Sequence, residues 1–399
     1  MAGTDVKDLK DRYKACLPWA TDRQQEAIKA LLKFGSMAAA AEKLGMHPGR
    51  LRSHLSEAAR RAARAGFSPE HDMRKTVPAG YHVKGVSTYY DKNGEVRGQW
   101  VKSQKDQEHQ IAMLLDAVQE IAEPFRGKSE KVKGPGSVNK DLLTIYPMGD
   151  PHLGMYAWAA ETGHDFDLNI AEANLVAAVD RLVGLAPPSE LGLILNLGDF
   201  FHSDSADNQT RRSGNPLDVD TRWAKVLQVG IRTMRRCIDK ALEKHKEVKV
   251  INEIGNHDDH SAIVLSLCLA QYYENNPRVS VDTSPSPFHW LRFGKCLIGV
   301  THGNNTKPDM LPGIMAADRS KDWGETSHRY WYTGHIHHDT LKEFPGCTVE
   351  TFRTLAPRDA WHHKSGYRSG RDMKCDVLHV EHGRINRHIV GIEMLGLKL

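Results

Sequence analysis

Apolar positions near the start of the chain recur with helical spacing. Ile28, Leu31 and Leu32 mark a first helix from about Thr21 to Phe34, with Thr21 or Asp22 as its N-cap and Gly35 as its break. Ser36 opens a second, short helix whose Met37, Ala40, Ala41 and Leu44 share a face before Gly45 ends it. A third begins near Pro48, with an apolar stripe of Leu51, Leu55, Ala58, Ala59 and Ala62 opposite Arg50, Ser53, His54, Arg60, Arg61 and Arg64. The period then shortens. Two β-rich stretches, Val83 to Tyr90 and Glu95 to Val101, flank Asn93-Gly94 as a hairpin does. A helix is predicted over 107–121, followed by a charged, Gly- and Pro-containing linker, RGKSEKVKGPGSVNK. From residue 141 onward, β-rich runs and helical stretches predict one large α/β domain. The predicted boundaries are therefore 1–75 for the helical unit, 76–130 for the hairpin and linking helix, and 141–399 for the α/β domain.

Composition narrows the class. The 399 residues, 40% apolar and 26% charged, exclude a disordered, collagenous or coiled-coil chain and fit a multi-domain globular one. The best apolar run, Ile263 to Ala270, is far below membrane-spanning length. The charged N-terminus is unlike a secretory leader, so a cytoplasmic location without membrane association is expected. Six cysteines without a CxxC fit reduced thiols.

Net charge is only +4, but its distribution is uneven: residues 1–110 hold 20 Lys and Arg against 13 Asp and Glu, and the remainder 34 against 37. A short helix, a turn and a longer basic helix form the pattern of a helix-turn-helix. The segment GSMAAAAEKLGMHPGRLRSHL resembles that motif in bacterial and phage regulators. It makes Arg50, Ser53, His54, Arg61 and Arg64 the candidate DNA-reading residues, with DNA as partner and a homodimer as a prior. The competing reading is an Ala-rich bundle with a solvated basic face. In the hairpin, Tyr89, Tyr90 and Trp100 alternate with Lys84, Arg97 and Lys102, and are expected to be packing residues before they are a nucleic-acid surface.

Five segments of the large domain share a plan, a short apolar run leading directly into metal-ligand residue types. They are LLTIYPMGDPH (Asp150, His152), LGLILNLGDFFH (Asp199, His202), VKVINEIGNHDD (Asn256, His257, Asp258), KCLIGVTHG (His302) and RYWYTGHIHH (His335, His337). Strand ends of an α/β sheet converge on one edge, so these residues can meet despite their separation in sequence. Gly149, Gly198, Gly255 and Gly334 allow the chain to turn tightly there. Carboxylate, amide oxygen and imidazole without thiolate suit Mn²⁺, with Zn²⁺ or Fe²⁺ as alternatives. A carboxylate shared by two such ions permits a bridging water to lose its proton near neutral pH and attack phosphorus.

In order and wording these segments resemble the calcineurin-like metallophosphoesterases over about Leu142 to Thr340, closest to the nuclease branch of double-strand-break repair. The resemblance implies a layered α/β β-sandwich flanked by helices, preceded here by the helical unit and hairpin. It implies two divalent ions, one held by Asp150, His152, Asp199 and His337, the other by Asp199, Asn256, His302 and His335. His257 would act on the phosphoryl group and Asp258 would orient its ring. The implied activity is phosphodiester hydrolysis in DNA by a metal-bridging hydroxide, in a layout resembling phage-encoded enzymes. A phosphatase or phosphodiesterase for a nucleotide or protein phosphate, and a non-catalytic DNA binder, are the alternatives. Candidate substrate contacts are His202, Arg211, Arg212, Arg358, His362 and Arg368, whereas Asp204 and Asp207 are expected in a solvated loop.

Overall fold

The structure, a computed structural model, describes residues 12–68, 73, 77, 81–93, 95–105, 123–205, 207–210 and 214–396. The helix predicted over 107–121 and the candidates Arg211 and Arg212 lie outside the described residues. Contacts divide the chain into two units, Met1–Leu114 and Leu115–Leu399.

In the first unit the helices are α1 (Asp22–Phe34), α2 (Met37–Lys43) and α3 (Pro48–Arg64). Thr21 and Gln24 exchange reciprocal capping hydrogen bonds at the start of α1, and Gly35 ends it at φ 78°. Ile28, Leu31, Ala40, Ala41, Leu51, Leu55, Ala58 and Ala62 close one core, while Ala59 is only half-buried at its edge. Arg50, Ser53, Arg61 and Arg64 are exposed on the other face of α3, and His54 is half-buried.

The hairpin strands β1 (Tyr81–Tyr90) and β2 (Val96–Lys105) pair antiparallel, with Ser87 opposite Trp100 and Tyr89 opposite Gly98. Tyr89 and Trp100 therefore share a face. Both are more than half exposed, at 60% and 63%, which corrects the packing reading. A two-stranded ribbon has no second layer of its own to bury them.

The second unit holds two mixed sheets. The first comprises β3 (Asn139–Met148), β4 (Ser189–Asn196), β5 (Glu247–Asn252), β6 (Val279–Val281), β12 (Asp372–His379) and β13 (Gly383–Gly391) in the order β13-β12-β3-β4-β5-β6, with β3 to β6 parallel. The second comprises β7 (His289–Phe293), β8 (Cys296–Val300), β9 (His328–Thr333), β10 (Thr340–Phe344) and β11 (Cys347–Thr351) in the order β10-β11-β9-β8-β7. Strand period sorts the side chains between layers. Along β3, Leu143 and Ile145 point into the core between the sheets with Ile298, Val300 and Tyr332, while Tyr146 and Met148 belong to the core on the opposite face. That opposite face is covered by α4 (Leu168–Leu185), α5 (Trp223–Lys244) and α6 (Ser261–Tyr272), whose Leu175, Leu182, Met234, Ile238 and Leu265 are buried there. Beyond the second sheet, α7 (Leu311–Asp318) packs Leu311 and Met315 against Leu297 and Trp331. Helices, sheet, sheet and helix thus form the layered α/β sandwich that the resemblance implies. No helix among the described residues is long and apolar enough to cross a membrane.

Candidate metal centre

Five parallel strands, three from one sheet and two from the other, run out into the loops that carry the candidate ligands. Asp150 and His152 follow β3, Asp199 follows β4, Asn256 follows β5, His302 follows β8, and His335 and His337 follow β9. Their donor atoms come together in two groups, Asp150 with His152 and His337, and Asp199 with His302 and His335. Asn256 joins the second group, its Oδ1 standing 3.1 Å from His302 Nε2, which is 3.2 Å from Asp199 Oδ2. In the first group His152 Nε2 and His337 Nε2 face one another at 3.1 Å, and His337 Nε2 is 3.6 Å from Asp150 Oδ1.

The backbone is bent to achieve this. Asp150, His152, Asp199, His335 and His337 all have positive φ, between 45° and 74°, and Asn208 is the one further non-glycine residue of this kind among the described residues. Left-handed backbone at a non-glycine residue costs on the order of 1–3 kcal/mol and persists where surrounding contacts over-determine it. Here the strain falls on ligand candidates. Glycine does the rest: a Cβ at Gly255 would stand 2.0 Å from Asp199 Oδ1, and one at Gly334 2.7 Å from Asp150 Oδ2.

A converging set of two buried carboxylates, an amide oxygen and four imidazoles has the donor chemistry to hold divalent cations. His302 Nδ1 lies 2.8 Å from the Leu197 carbonyl, which only accepts, so Nδ1 carries a proton and Nε2 is the atom turned toward Asp199 and Asn256. Burial and the His337 and His257 imidazoles hold His152 well below the usual histidine range, so its ring is neutral and able to ligate. Burial opposes charge on Asp199 and on His302, yet each stabilises the other: the carboxyl is held well below its usual range and the imidazole is raised to about 10. The two groups therefore fit a pair of divalent ions.

Around the ligands the structure departs from expectation in two places. Asp258 does not orient the His257 ring. Its buried carboxylate accepts the backbone N–H groups of Gly255 (2.9 Å), Asp199 (3.2 Å) and Phe201 (3.2 Å), tying the loop after β5 to the loop after β4. Asp258 is fully enclosed, so its oxygens must find donors within the protein, and these backbone amides supply them. His257 instead directs Nδ1 to the His202 carbonyl at 2.9 Å. Nor is Asp204 a solvated loop residue. It accepts the N–H groups of His260 (3.0 Å) and Ser261 (2.8 Å) and the Ser261 hydroxyl (2.7 Å), anchoring the start of α6. Asp207 is exposed.

His202 is buried against the first ligand group, its Nδ1 3.2 Å from His152 Nδ1, and burial with the His257 imidazole presses its pKa down to about 3. Arg358, His362 and Arg368 line a cavity that His337 also lines. His362 stacks on His337 with ring centroids 4.9 Å apart. Sequence reading missed Thr354, whose hydroxyl donates to the Asp150 carbonyl at 2.6 Å, and His164; both line that cavity together with Arg371. Only the clustering of Arg, His and Tyr over 353–371 hinted at it.

No family model matches the chain, and no curated protein matches its sequence. Among solved structures it is similar to a conserved uncharacterized protein, a predicted phosphoesterase, from Streptococcus pneumoniae, with 13% identity, TM-score 0.25, and coverage of 63% of this chain and 99% of that one. Vps29 from Chaetomium thermophilum gives 12% identity, TM-score 0.29, and coverage of 62% and 96%. Vps29 from Entamoeba histolytica, complexed with zinc, gives 11%, 0.25, and coverage of 62% and 99%.

Proposed function

We propose that the chain is a dinuclear metal-dependent phosphoesterase that hydrolyses a phosphate ester of a nucleotide or nucleic acid. The observation that carries this is the meeting of Asp150, His152, Asp199, Asn256, His302, His335 and His337 at the ends of five strands, in two groups that share one edge of the sandwich. Asp150, His152, Asp199 and His337 would hold one ion, and Asp199, Asn256, His302 and His335 the other. Bound there, two divalent ions would withdraw charge from the phosphoryl oxygens and acidify a water. The chain's own part is positioning. The His202 carbonyl can only accept, so His257 Nδ1 carries a proton and the ring is held in one orientation; with a second proton on Nε2 the imidazolium would donate that proton to the leaving oxygen. Asp258 keeps the two loops that bear Asp199 and Asn256 in register.

Hydrolysis of bis(p-nitrophenyl) phosphate tests the reading. Metal-stripped protein is expected to be inactive, to recover with Mn²⁺, and to lose activity in Asp199→Ala and Asn256→Ala. Turnover that survives both substitutions would overturn it.

DNA as the substrate is favoured by a specific observation in the first unit, the exposed Arg50, Arg61 and Arg64 on one face of α3. Phosphate contacts from that face should make duplex affinity fall steeply with salt. An affinity independent of salt, or unchanged in a triple Arg50→Ala, Arg61→Ala, Arg64→Ala variant, would remove DNA from the proposal and leave a small nucleotide ester.

A further inference from the structure

Beside His337, a solvent-open cavity is lined by Arg358, Arg368, Arg371, His164 and His362. No carboxylate lines it. Among the described residues none of the three arginines has a carboxylate within ion-pair distance, and each spends only part of its donors on backbone. Arg358 Nε donates to the Thr162 carbonyl (2.8 Å), Arg368 to the Tyr367 carbonyl (2.7 Å), and Arg371 to the Leu355 carbonyl (2.7 and 2.9 Å). These bonds fix the guanidinium groups while leaving further N–H groups on each. Asp359, next to the cavity, is already engaged by the His362 ring at 2.7 Å and by its backbone N–H at 2.8 Å. The Glu393 carboxylate acts at longer range on both His164 and Arg371.

The charge of this region shows in its neighbours. Burial, then Arg371 and Arg358, lower the pKa of His164, and burial brings Arg371 to about 10. Three guanidinium groups gathered round one cavity with no carboxylate of the described residues at ion-pair distance suit an anion. The rim supplies a second chemistry. Trp361 is 62% exposed, meets the edge of His362 at 5.0 Å, and lies 5.8 Å from the half-exposed Tyr367 ring. Exposed aromatic rings beside fixed guanidinium groups match a nucleotide, which offers a π-face and a phosphate together.

We propose that this cavity is a nucleotide subsite, in which Arg358 and Arg368 take a second phosphate, one linkage away from the phosphoryl group at the metal centre, while Trp361 and Tyr367 stack on the base. This rests on the phosphoesterase reading and specifies its substrate class. The preferred substrate carries at least two phosphates on one nucleoside, as every internal residue of a polynucleotide does. Phosphoprotein substrates are disfavoured, having no base to place on the rim.

Three p-nitrophenyl substrates test it: thymidine 5′-phosphate ester, the same ester with an added 3′-phosphate, and bis(p-nitrophenyl) phosphate. The wild type is expected to prefer the 3′-phosphorylated ester through KM, and Arg358→Gln and Arg368→Gln each to shrink that preference about tenfold, the loss expected for a charge-assisted hydrogen bond. Trp361→Ala is expected to raise KM for both nucleoside esters relative to bis(p-nitrophenyl) phosphate. Equal preference in wild type and arginine variants would overturn the subsite while leaving the phosphoesterase intact. Absence of turnover on all three substrates would overturn the phosphoesterase reading, and calorimetry with thymidine 3′,5′-bisphosphate then decides the subsite separately. Binding weakened about tenfold in Arg368→Gln supports it, and binding equal in the two proteins overturns it. An oligothymidylate compared with the bisphosphate distinguishes a polymer from a free nucleotide as the source of that phosphate.

Discussion

The tightest packing at the metal centre gives the sharpest test, Gly255→Ala. The added Cβ would stand 2.0 Å from Asp199 Oδ1 and 2.2 Å from the Asp199 backbone nitrogen, about 1.5 Å inside ordinary contact. Neither side yields easily, because the Gly255 and Asp199 amides both donate to the same Asp258 oxygen, at 2.9 and 3.2 Å. Relief must come from moving the loop after β5 away from the loop after β4, and with it Asn256 away from Asp199. A displacement of about 1 Å in a catalytic array costs roughly a hundredfold in rate, which is about 2.7 kcal/mol of transition-state stabilisation. Overpacking adds a stability loss of about 1–3 kcal/mol. The assay is kcat/KM on bis(p-nitrophenyl) phosphate at saturating Mn²⁺, with thermal unfolding alongside and Gly136→Ala as control, since a Cβ at Gly136 meets nothing within 4 Å. A Gly255→Ala enzyme within threefold of wild type would falsify the claim that this contact sets the spacing of the ligands.

Other predictions follow from the same geometry. Asp258→Ala leaves three buried N–H groups unpaired; it should lower stability by at least about 1–3 kcal/mol and reduce activity in parallel, and an unchanged melting temperature would contradict the clamp. His245 is buried between the Tyr146 hydroxyl and the Ser189 hydroxyl, each at 2.7 Å, and burial, with a smaller contribution from Lys244, depresses its pKa to about 3. Its folded pKa lies below the unfolded value of about 6.5, so the stability it confers is complete above that pH and is lost as pH falls toward 3, up to about 5 kcal/mol. His245→Gln should flatten this part of the pH–stability curve, and identical curves for the two proteins would refute it. Gly192→Ala places a Cβ 2.6 Å from the His245 ring and should destabilise the fold by about 1–3 kcal/mol in chemical unfolding, without altering the preference among phosphate esters.

Much of this protein was legible before any coordinates. Caps, breaks and turn residues act over a few positions, so Thr21, Ser36, Gly35 and Asn93 announce the helices and the hairpin in the chain itself. Apolar runs ending in Asp, Asn and His likewise declare which segments bear chemistry, because a strand buried on both faces must be apolar and its ligands must wait for its end. Long-range partnership is another matter. His152 and His337 meet across 185 positions, and nothing local says that Asp258 will choose three amides over the neighbouring imidazole, or that Asp204 will anchor a helix 57 residues away. The exposure of Tyr89 and Trp100 is decided in the same way, by whether another layer lies over them. Residue type and spacing determine what an element is and what chemistry it carries; which partner a buried polar group takes depends on competing donors at distances of about 3 Å, and only the packed tertiary structure brings those donors within reach.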